Sequence, residues 1–346
     1  MTDKHVTEPV RQTPVMAEAD VLVAGAGPAG LGAAIGAARS GANTLLVEKH
    51  GCLGGMLTAG GVINIRQYND DEKLIIDGVG GELARRIKAA GGTENDPEHG
   101  KYVRHDPEIT RLVADEMVAE AGVRALLHTW LADAIVEDGR VTGAIVENKS
   151  GRGAILAKVT IDATGDGDVI ARSGAEFVQD DDLQPMTLAC VIGGVDCWPK
   201  VRSQEMREKV QAAIEDGTYP IRRGPGLFPM WRKGEVYANA TRISGDCTDA
   251  WDLSRAEFEG RRQLAGMVRW LRENVRGYEN CFLMKTAPQV GLRESRLLVG
   301  VYTLTREDVM EYRQFDDAIC LSAYGIDIHY KGLGGEMTWL EPGKSH

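Results

Sequence analysis

The chain has 346 residues, of which 43% are hydrophobic and 26% charged, the composition of an ordinary folded protein in water. Its formal net charge of -11, from 40 basic and 51 acidic residues, has the wrong sign for a nucleic-acid surface, which needs a basic stripe, so no nucleic-acid partner is expected. The six cysteines are scattered without a C-x-x-C pair and the seven histidines do not group with acids, so neither a disulfide framework nor a metal site is expected, and the pattern suits a reduced, cytoplasmic protein. The length suits two domains, sequential or interleaved.

In chain order, residues 1–18 are polar and read as a loose tail, with no signal-peptide pattern. Val21 to Ala24 is a short apolar run that predicts a buried parallel strand. Gly25 to Gly30 follows as a glycine turn, with Pro28 suited to an early helical position, and an Ala- and Gly-rich helix then runs to Ser40. The whole stretch from Val21 to Ala38 is apolar but broken by glycines and Pro28, so no membrane span is expected. Thr44 to Val47 is a second strand, and Glu48 stands at its end. Residues 51–68 read as a glycine-rich loop, Gly81 to Ala90 as a short helix, and Asp106-Pro107 as the cap and first position of a helix with Ile109, Leu112, Val113 and Met117 on one stripe. Val123 to Trp130 reads as a strand, with His128 a structural residue on it. Ala134 to Glu147 reads as a hairpin turning at Asp138-Gly139, and Ala154 to Ala163 as a strand ending in Thr164-Gly165-Asp166-Gly167-Asp168. Further on, Met186 to Val195 predicts a strand. Ser254-x-x-Glu257 predicts a capping box opening a helix to Val275, with Leu264, Met267, Val268, Leu271 and Val275 buried.

Strand, glycine turn, helix, strand and acid make a βαβ unit in which Gly25-x-Gly27-x-x-Gly30 precedes Glu48 by 18 residues. The chemistry of that spacing is direct. Gly25 permits the tight turn, Gly27 lets backbone approach a pyrophosphate, and Gly30 lets helix and strand pack closely. The free N–H groups and dipole of the helix hold the negative charge, and Glu48 accepts hydrogen bonds from a ribose hydroxyl. This fingerprint alone serves NAD and FAD equally, so an NAD-dependent dehydrogenase stands as an alternative at this point.

Three separated motifs resemble one family. Asp20 to Gly30 resembles the start of flavoproteins of the glutathione-reductase-like, two-dinucleotide-binding superfamily. Glu48-Lys49 with Cys52-Leu53-Gly54-Gly55-Met56-Leu57-Thr58 resembles their second segment, along the ribityl chain, and Ile161-Asp162-Ala163-Thr164-Gly165-Asp166-Gly167-Asp168 their distant return motif. The resemblance runs over roughly residues 18–330, through Gly291-Leu292-Arg293-Glu294-Ser295-Arg296 and Asp327-Ile328-His329, and is to FAD-dependent oxidoreductases carrying "LGGM-x-T" and "IDATGDGD". It implies an α/β fold: a Rossmann-like FAD-binding domain with a parallel central sheet plus an inserted α+β substrate domain. The expected layout is a flexible tail over 1–18, the FAD-binding domain over 19–175, a substrate or cap domain over 176–290 and a return to the first domain over 291–346. FAD is the expected cofactor, held by Gly25, Gly27, Pro28, Ala29, Gly30, Glu48, Lys49, Gly54, Gly55, Met56, Thr58, Ala163, Thr164, Gly165 and Asp168, with Leu131 beside them. Trp130 lies near the adenine or in the core.

Such proteins normally continue into a later strand, a glycine–arginine turn and a closing helix, whereas this sequence ends soon after Gly334 to Trp339. The expectation is therefore a truncated return segment, with an open flavin end or a partner chain or second copy completing it; an incomplete or non-catalytic dinucleotide-binding module is the corresponding alternative. Near the reacting end, Arg66 and Gln67 follow the glycine loop and either face the flavin or lie in solvent. Arg293 and Arg296 suit an anionic small-molecule substrate or the reduced flavin, or form ion pairs with Glu294 and its neighbours. Asp327 and His329 share one strand face, so His329 is a candidate general base, or a structural histidine. Cys52 lacks a C-x4-C partner and reads as a packing residue. The expected reaction is hydride transfer between a small polar substrate of CH–OH or CH–NH type and flavin N5.

Overall fold

A computed structural model describes residues 5–66, 69–70, 73–330 and 334–346. Its first half is built on a six-stranded sheet. Strand β1 (Val15–Ala24) leads into helix α1 (Pro28–Arg39) and strand β2 (Thr44–Val47); after a 3-10 turn at Gly55–Leu57 come β3 (Asn64–Arg66), α2 (Gly78–Ala89), β4 (Tyr102–Arg104), α3 (Pro107–Glu120) and β5 (Arg124–Leu126). Then β6 (Trp130–Glu137), β7 (Arg140–Asn148) and β8 (Gly151–Asp162) lead to the short helix α4 (Asp168–Ser173). The strand order is β5-β2-β1-β8-β7-β6, with β1, β2, β5 and β8 parallel and the β6–β7 hairpin running antiparallel at one edge. Helices α1, α2 and α3 cover one face, where Val23, Leu31, Ile35, Leu46, Ile87 and Met117 share a core.

Local chemistry explains the element ends. Asp106 caps α3 by accepting a hydrogen bond from the Glu108 N–H, and Pro107 occupies the first helical position, where its missing donor is no loss. Asp138 and Gly139 both have positive φ, 49° and 75°, the backbone that a two-residue hairpin turn of matching twist requires.

Several expectations change in the folded chain. Val15 to Glu18, placed in the tail by their composition, extend β1, because they pair with Ala154–Leu156 of β8. The expected strand over 123–130 is two strands: the chain breaks at His128, which has φ 51° and is therefore in a turn and not on a strand. Leu112 is 53% exposed, since the buried stripe of α3 runs through Thr110, Val113, Ala114, Met117 and Val118.

The second half carries β9 (Phe177–Gln179), β10 (Cys190–Gly193), α5 (Gln204–Glu215), β11 (Gly226–Pro229), β12 (Val236–Asn239), α6 (Ala250–Asn274), β13 (Phe282–Thr286) and β14 (Arg296–Leu298), then α7 (Arg306–Met310), β15 (Ile326–His329) and β16 (Gly335–Thr338). Its main sheet has the order β11-β12-β10-β13, and one face packs on α6 through Leu188, Ile192, Val236, Leu264, Met267 and Leu271. Helix α6 starts earlier than expected. Asp249 is its cap, and Ser254 lies inside, bonding the Ala250 carbonyl, so the capping-box pattern at 254–257 is not used.

The joint between β1, α1 and β8 has no spare room. A Cβ on Gly30 would sit 1.8 Å from the Gly25 carbonyl oxygen, and one on Gly25 would sit 2.3 Å from that of Ala163. Gly32, in the same helix, would place a Cβ in open space. Gly30→Ala is therefore expected to cost roughly 3 kcal/mol or more in urea denaturation, whereas Gly32→Ala gains about 0.5–1 kcal/mol. Equal effects at the two positions would show that helix–strand contact does not set the requirement.

Candidate functional site

The C-terminal ends of β1, β2 and β8 meet at the N-terminus of α1, where parallel α/β sheets form their ligand crevice. Two adjoining cavities of about 340 and 260 Å³ form one groove there, sharing Gly25, Glu48, Lys49, Thr164 and Asp166. The inner cavity is lined also by Gly27, Pro28, Ala29, Gly55, Met56, Ala163 and Gly165, and ends at Gln289 and Leu292. The outer cavity adds Trp130, Leu131 and Asp168, and is closed on the far side by Cys247, Thr248 and Leu253 around the start of α6.

Most of the residues singled out by sequence converge on this groove. Glu48 is buried and spans the turn: its Oε2 accepts from the Ala26 N–H at 2.7 Å and its Oε1 from the His50 N–H at 2.9 Å. Trp130 is a wall and not core, being 59% exposed, with the Lys49 ammonium 5.6 Å from its ring centre. Three of the expected residues do not line the groove. Gly30 and Gly54 act in packing and turning, Gly54 with φ 101°. The Thr58 hydroxyl donates to the Leu53 carbonyl at 2.6 Å, closing the 3-10 turn, and Thr58 lines a separate cavity against the second sheet.

Two acids organise the return motif, neither assigned a role from the sequence. Asp162 accepts from the N–H and hydroxyl of Thr164 with one oxygen and from the N–H groups of Val169 and Ile170 with the other, tying the Thr164–Gly167 turn to the start of α4. Asp166 faces both cavities; burial raises its pKa, opposed by Lys49. Asp168 pairs with Arg296 at 3.1 Å and with Arg172 at 3.3 Å, so Arg296 belongs to the outer end of the groove.

The candidate catalytic residues lie elsewhere. His329 and Asp327 do share a face of β15, with His329 Nε2 3.4 Å from Asp327 Oδ1. Burial lowers the His329 pKa, and Arg293 lowers it further, against the pull of Asp327. Arg293 immediately follows the groove residue Leu292, and its Nε donates to the Pro185 carbonyl at 3.1 Å. Arg66 lines neither the groove nor the cavity at His329; it faces the Trp339 ring at 6.0 Å, next to the β15–β16 hairpin. Gln67 lies outside the described residues. Sequence reasoning missed Arg223 and Arg242, which lie beside His329; the doublet Arg222-Arg223 before Gly224-Pro225 was the only local signal.

This fold and groove define a dinucleotide-binding α/β protein. A sequence model described as FAD dependent oxidoreductase matches residues 20–344, and the chain belongs to that family. FAD is its cofactor, which decides against the nicotinamide alternative. Among curated proteins, the chain is 34% identical over 181 residues to thiamine thiazole synthase of Aeropyrum pernix, over 48% of this chain and 63% of that one. It is 26% identical over 259 residues to thiamine thiazole synthase of Saccharolobus solfataricus, over 70% of this chain and 88% of that one. The chain thus spans just under two thirds of the length of the Aeropyrum enzyme. Among solved structures, p-nitrophenol 4-monooxygenase PnpA from Pseudomonas putida DLL-E4 shares the fold, with a TM-score of 0.52 at 12% identity over 82% of this chain and 70% of that chain. Among the described residues no helix is long and apolar enough to cross a membrane.

The groove fits an extended dinucleotide on its own geometry. A Cβ on Gly27 would meet no atom within 4 Å, so that glycine leaves space at the mouth of α1, whose N-cap has no side-chain acceptor. His50, another lining residue, has its Nε2 buried without a partner among the described residues.

The loop that bears Gly54 to Gly61 is anchored from below by His105. This histidine is fully buried, with Nδ1 2.7 Å from Thr110 Oγ1 and Nε2 3.2 Å from the Val62 carbonyl. Burial lowers its pKa to about 4. In the unfolded chain it titrates near 6.5, so between about pH 6.5 and about pH 4 the unfolded state binds the extra proton and folding weakens as pH falls. Urea denaturation is expected to lose roughly 3 kcal/mol over that window from this residue, a loss absent in His105→Asn. An unchanged acid sensitivity in the variant would place its source elsewhere.

Proposed function

We propose that FAD lies extended along the groove, with the pyrophosphate over Gly27, Pro28 and Ala29, the adenosine ribose at Glu48 and Lys49, and the adenine between Trp130 and Leu131. In this reading Gly55, Met56, Ala163, Thr164 and Gly165 follow the chain toward the flavin, and Gln289 and Leu292 stand at its far end. The observation that carries it is the open space at Gly27: of the two fingerprint glycines that line the groove, Gly25 and Gly27, it is Gly27 whose Cβ direction meets no atom. Gly25 and Gly30 are consumed by the fold, so Gly27 is free to serve a ligand.

The proposed activity is oxidation or reduction of a small polar substrate of CH–OH or CH–NH type. Bound FAD would supply a two-electron acceptor for hydride at N5. The chain's own task is then to place the substrate, balance charge and move one proton. Arg293, the residue after groove-lining Leu292, is assigned the balancing positive charge. His329 is held by Asp327 through Nε2, which leaves Nδ1 to take the substrate proton. The direction of its pKa supports the role, since a histidine kept neutral by burial is able to accept. Arg66 is assigned to positioning of the β15–β16 hairpin through Trp339.

Gly27 has φ of -70° and an unobstructed Cβ direction, so Gly27→Val is expected to fold normally. It fills the pyrophosphate space, and the purified variant should be colourless and take up no added FAD on titration. Full flavin content, seen as an unaltered visible spectrum after desalting, would remove the pyrophosphate from this turn.

A further inference from the structure

The cavity at His329 has a volume of about 450 Å³ and is walled by Arg222, Arg223, Arg242, Asp327, His329 and Glu336. Two of these are rim groups, since Arg222 is exposed and Glu336, also exposed, accepts a hydrogen bond from the Tyr330 hydroxyl. The interior is therefore set by Arg223, Arg242, Asp327 and His329, with Arg293 close enough to act electrostatically on the same groups. Among the described residues, three guanidinium groups stand against one interior carboxylate. That carboxylate is engaged, Asp327 Oδ2 accepting from the Tyr324 hydroxyl at 3.0 Å and Oδ1 facing His329.

The three arginines are not equivalent. Arg242 donates to the carbonyls of Tyr330 and Gly334, and so holds the chain on both sides of the β15–β16 connection. Arg293 is tied to the Pro185 carbonyl and, at 3.4 Å, to the Thr187 hydroxyl. Arg223 has no hydrogen bond or ion pair among the described residues, although most of it is removed from water and burial lowers its pKa. Its donors open onto the cavity with no protein acceptor among the described residues, and so are free to meet the oxygens of a ligand. The flat fork of a guanidinium matches the two oxygens of a carboxylate in a bidentate pair.

We infer that this cavity is a binding site for a small carboxylate, clamped by Arg223 with Arg242 and Arg293 neutralising its charge and Asp327 limiting the site to ligands of low negative charge. The inference deepens the proposed function, on which it rests for the claim that the bound carboxylate is the substrate, and makes that substrate a hydroxy or amino acid with Arg223 as its specificity residue. The limit set by Asp327 disfavours phosphate dianions, whose second negative charge would stand against its carboxylate.

The test is isothermal titration of the purified full chain with propionate, and separately with inorganic phosphate and with neutral propionamide. Saturable propionate binding is expected, weakened about tenfold or more in Arg223→Met and tightened in Asp327→Asn, with no binding of propionamide. Far-UV circular dichroism and FAD content of both variants verify that they fold. Arg223→Lys, which keeps the charge but loses the fork, is expected to bind propionate less tightly than the parent and more tightly than Arg223→Met. Propionate affinity unchanged in Arg223→Met, or phosphate bound more tightly than propionate, overturns the carboxylate site. The two layers separate by the flavin spectrum. If propionate binds through Arg223 without perturbing the visible band of the FAD-loaded protein, the site stands and its identity as the substrate site falls. A protein that holds no FAD but still binds propionate through Arg223 likewise supports the site while removing the proposed function.

Discussion

The contact between the Gly25 carbonyl and helix α1 is the constraint on which the rest of the molecule depends. Gly30 passes that carbonyl so closely that a single methyl group would stand 1.8 Å from its oxygen, and Gly25 in turn lies against the Ala163 backbone. This zero-clearance joint brings three segments far apart in sequence to one point: the end of β1, the start of α1 and the end of β8. The groove is the space left on the outer side of that joint. Its charge follows from the same geometry, because aligned peptide dipoles leave partial positive charge at the mouth of α1 where Gly27 has no side chain to cover it.

The acids around the groove act mainly through backbone. Glu48 and Asp162 each accept hydrogen bonds from two separate parts of the chain, so both turns bordering the groove are held by buried or part-buried carboxylates. Carboxylate hydrogen bonds to N–H groups are stronger than neutral ones, and they set loop shapes that glycines alone would leave loose. The second half contributes in a different manner. It closes the outer cavity with the start of α6 and assembles an arginine-rich cavity under the β15–β16 hairpin, so positive charge collects locally in a chain whose net charge is -11.

How much of this was legible in the residues depends on the range of the interaction involved. The βαβ unit was legible because its parts are contiguous and each has a local signature: apolar run, glycine spacing, helix former, acid. The cap of α3 and the Asp138-Gly139 turn were legible for the same reason, since one side chain or one φ preference decides each. Failures came where a partner distant in sequence decided the outcome. Val15 to Glu18 look like tail until β8 offers them a pairing edge, and Ser254 looks like a cap until Asp249 takes that place earlier in the chain. His128 sits in an apolar run that predicts continuous strand, yet its backbone turns there because β5 and β6 belong to different places in the sheet.

By itself the sequence determined the dinucleotide-binding unit, the FAD family and the positions of the glycines, because these are encoded in short spacings whose physical requirement is local. It also placed Asp327 and His329 on one strand face, which follows from the period of a strand alone. Only the tertiary structure decided what each of those residues touches. It separated Thr58 from the groove, made Trp130 a wall, gave Arg66 to the hairpin and Arg296 to the outer end, and gathered Arg223, Arg242 and Arg293 from three loops around His329. Arginines that are about 20 and 50 residues apart carry no mutual signal in a linear chain. The folded second half brings those loops together, where burial and like charge then act on them jointly.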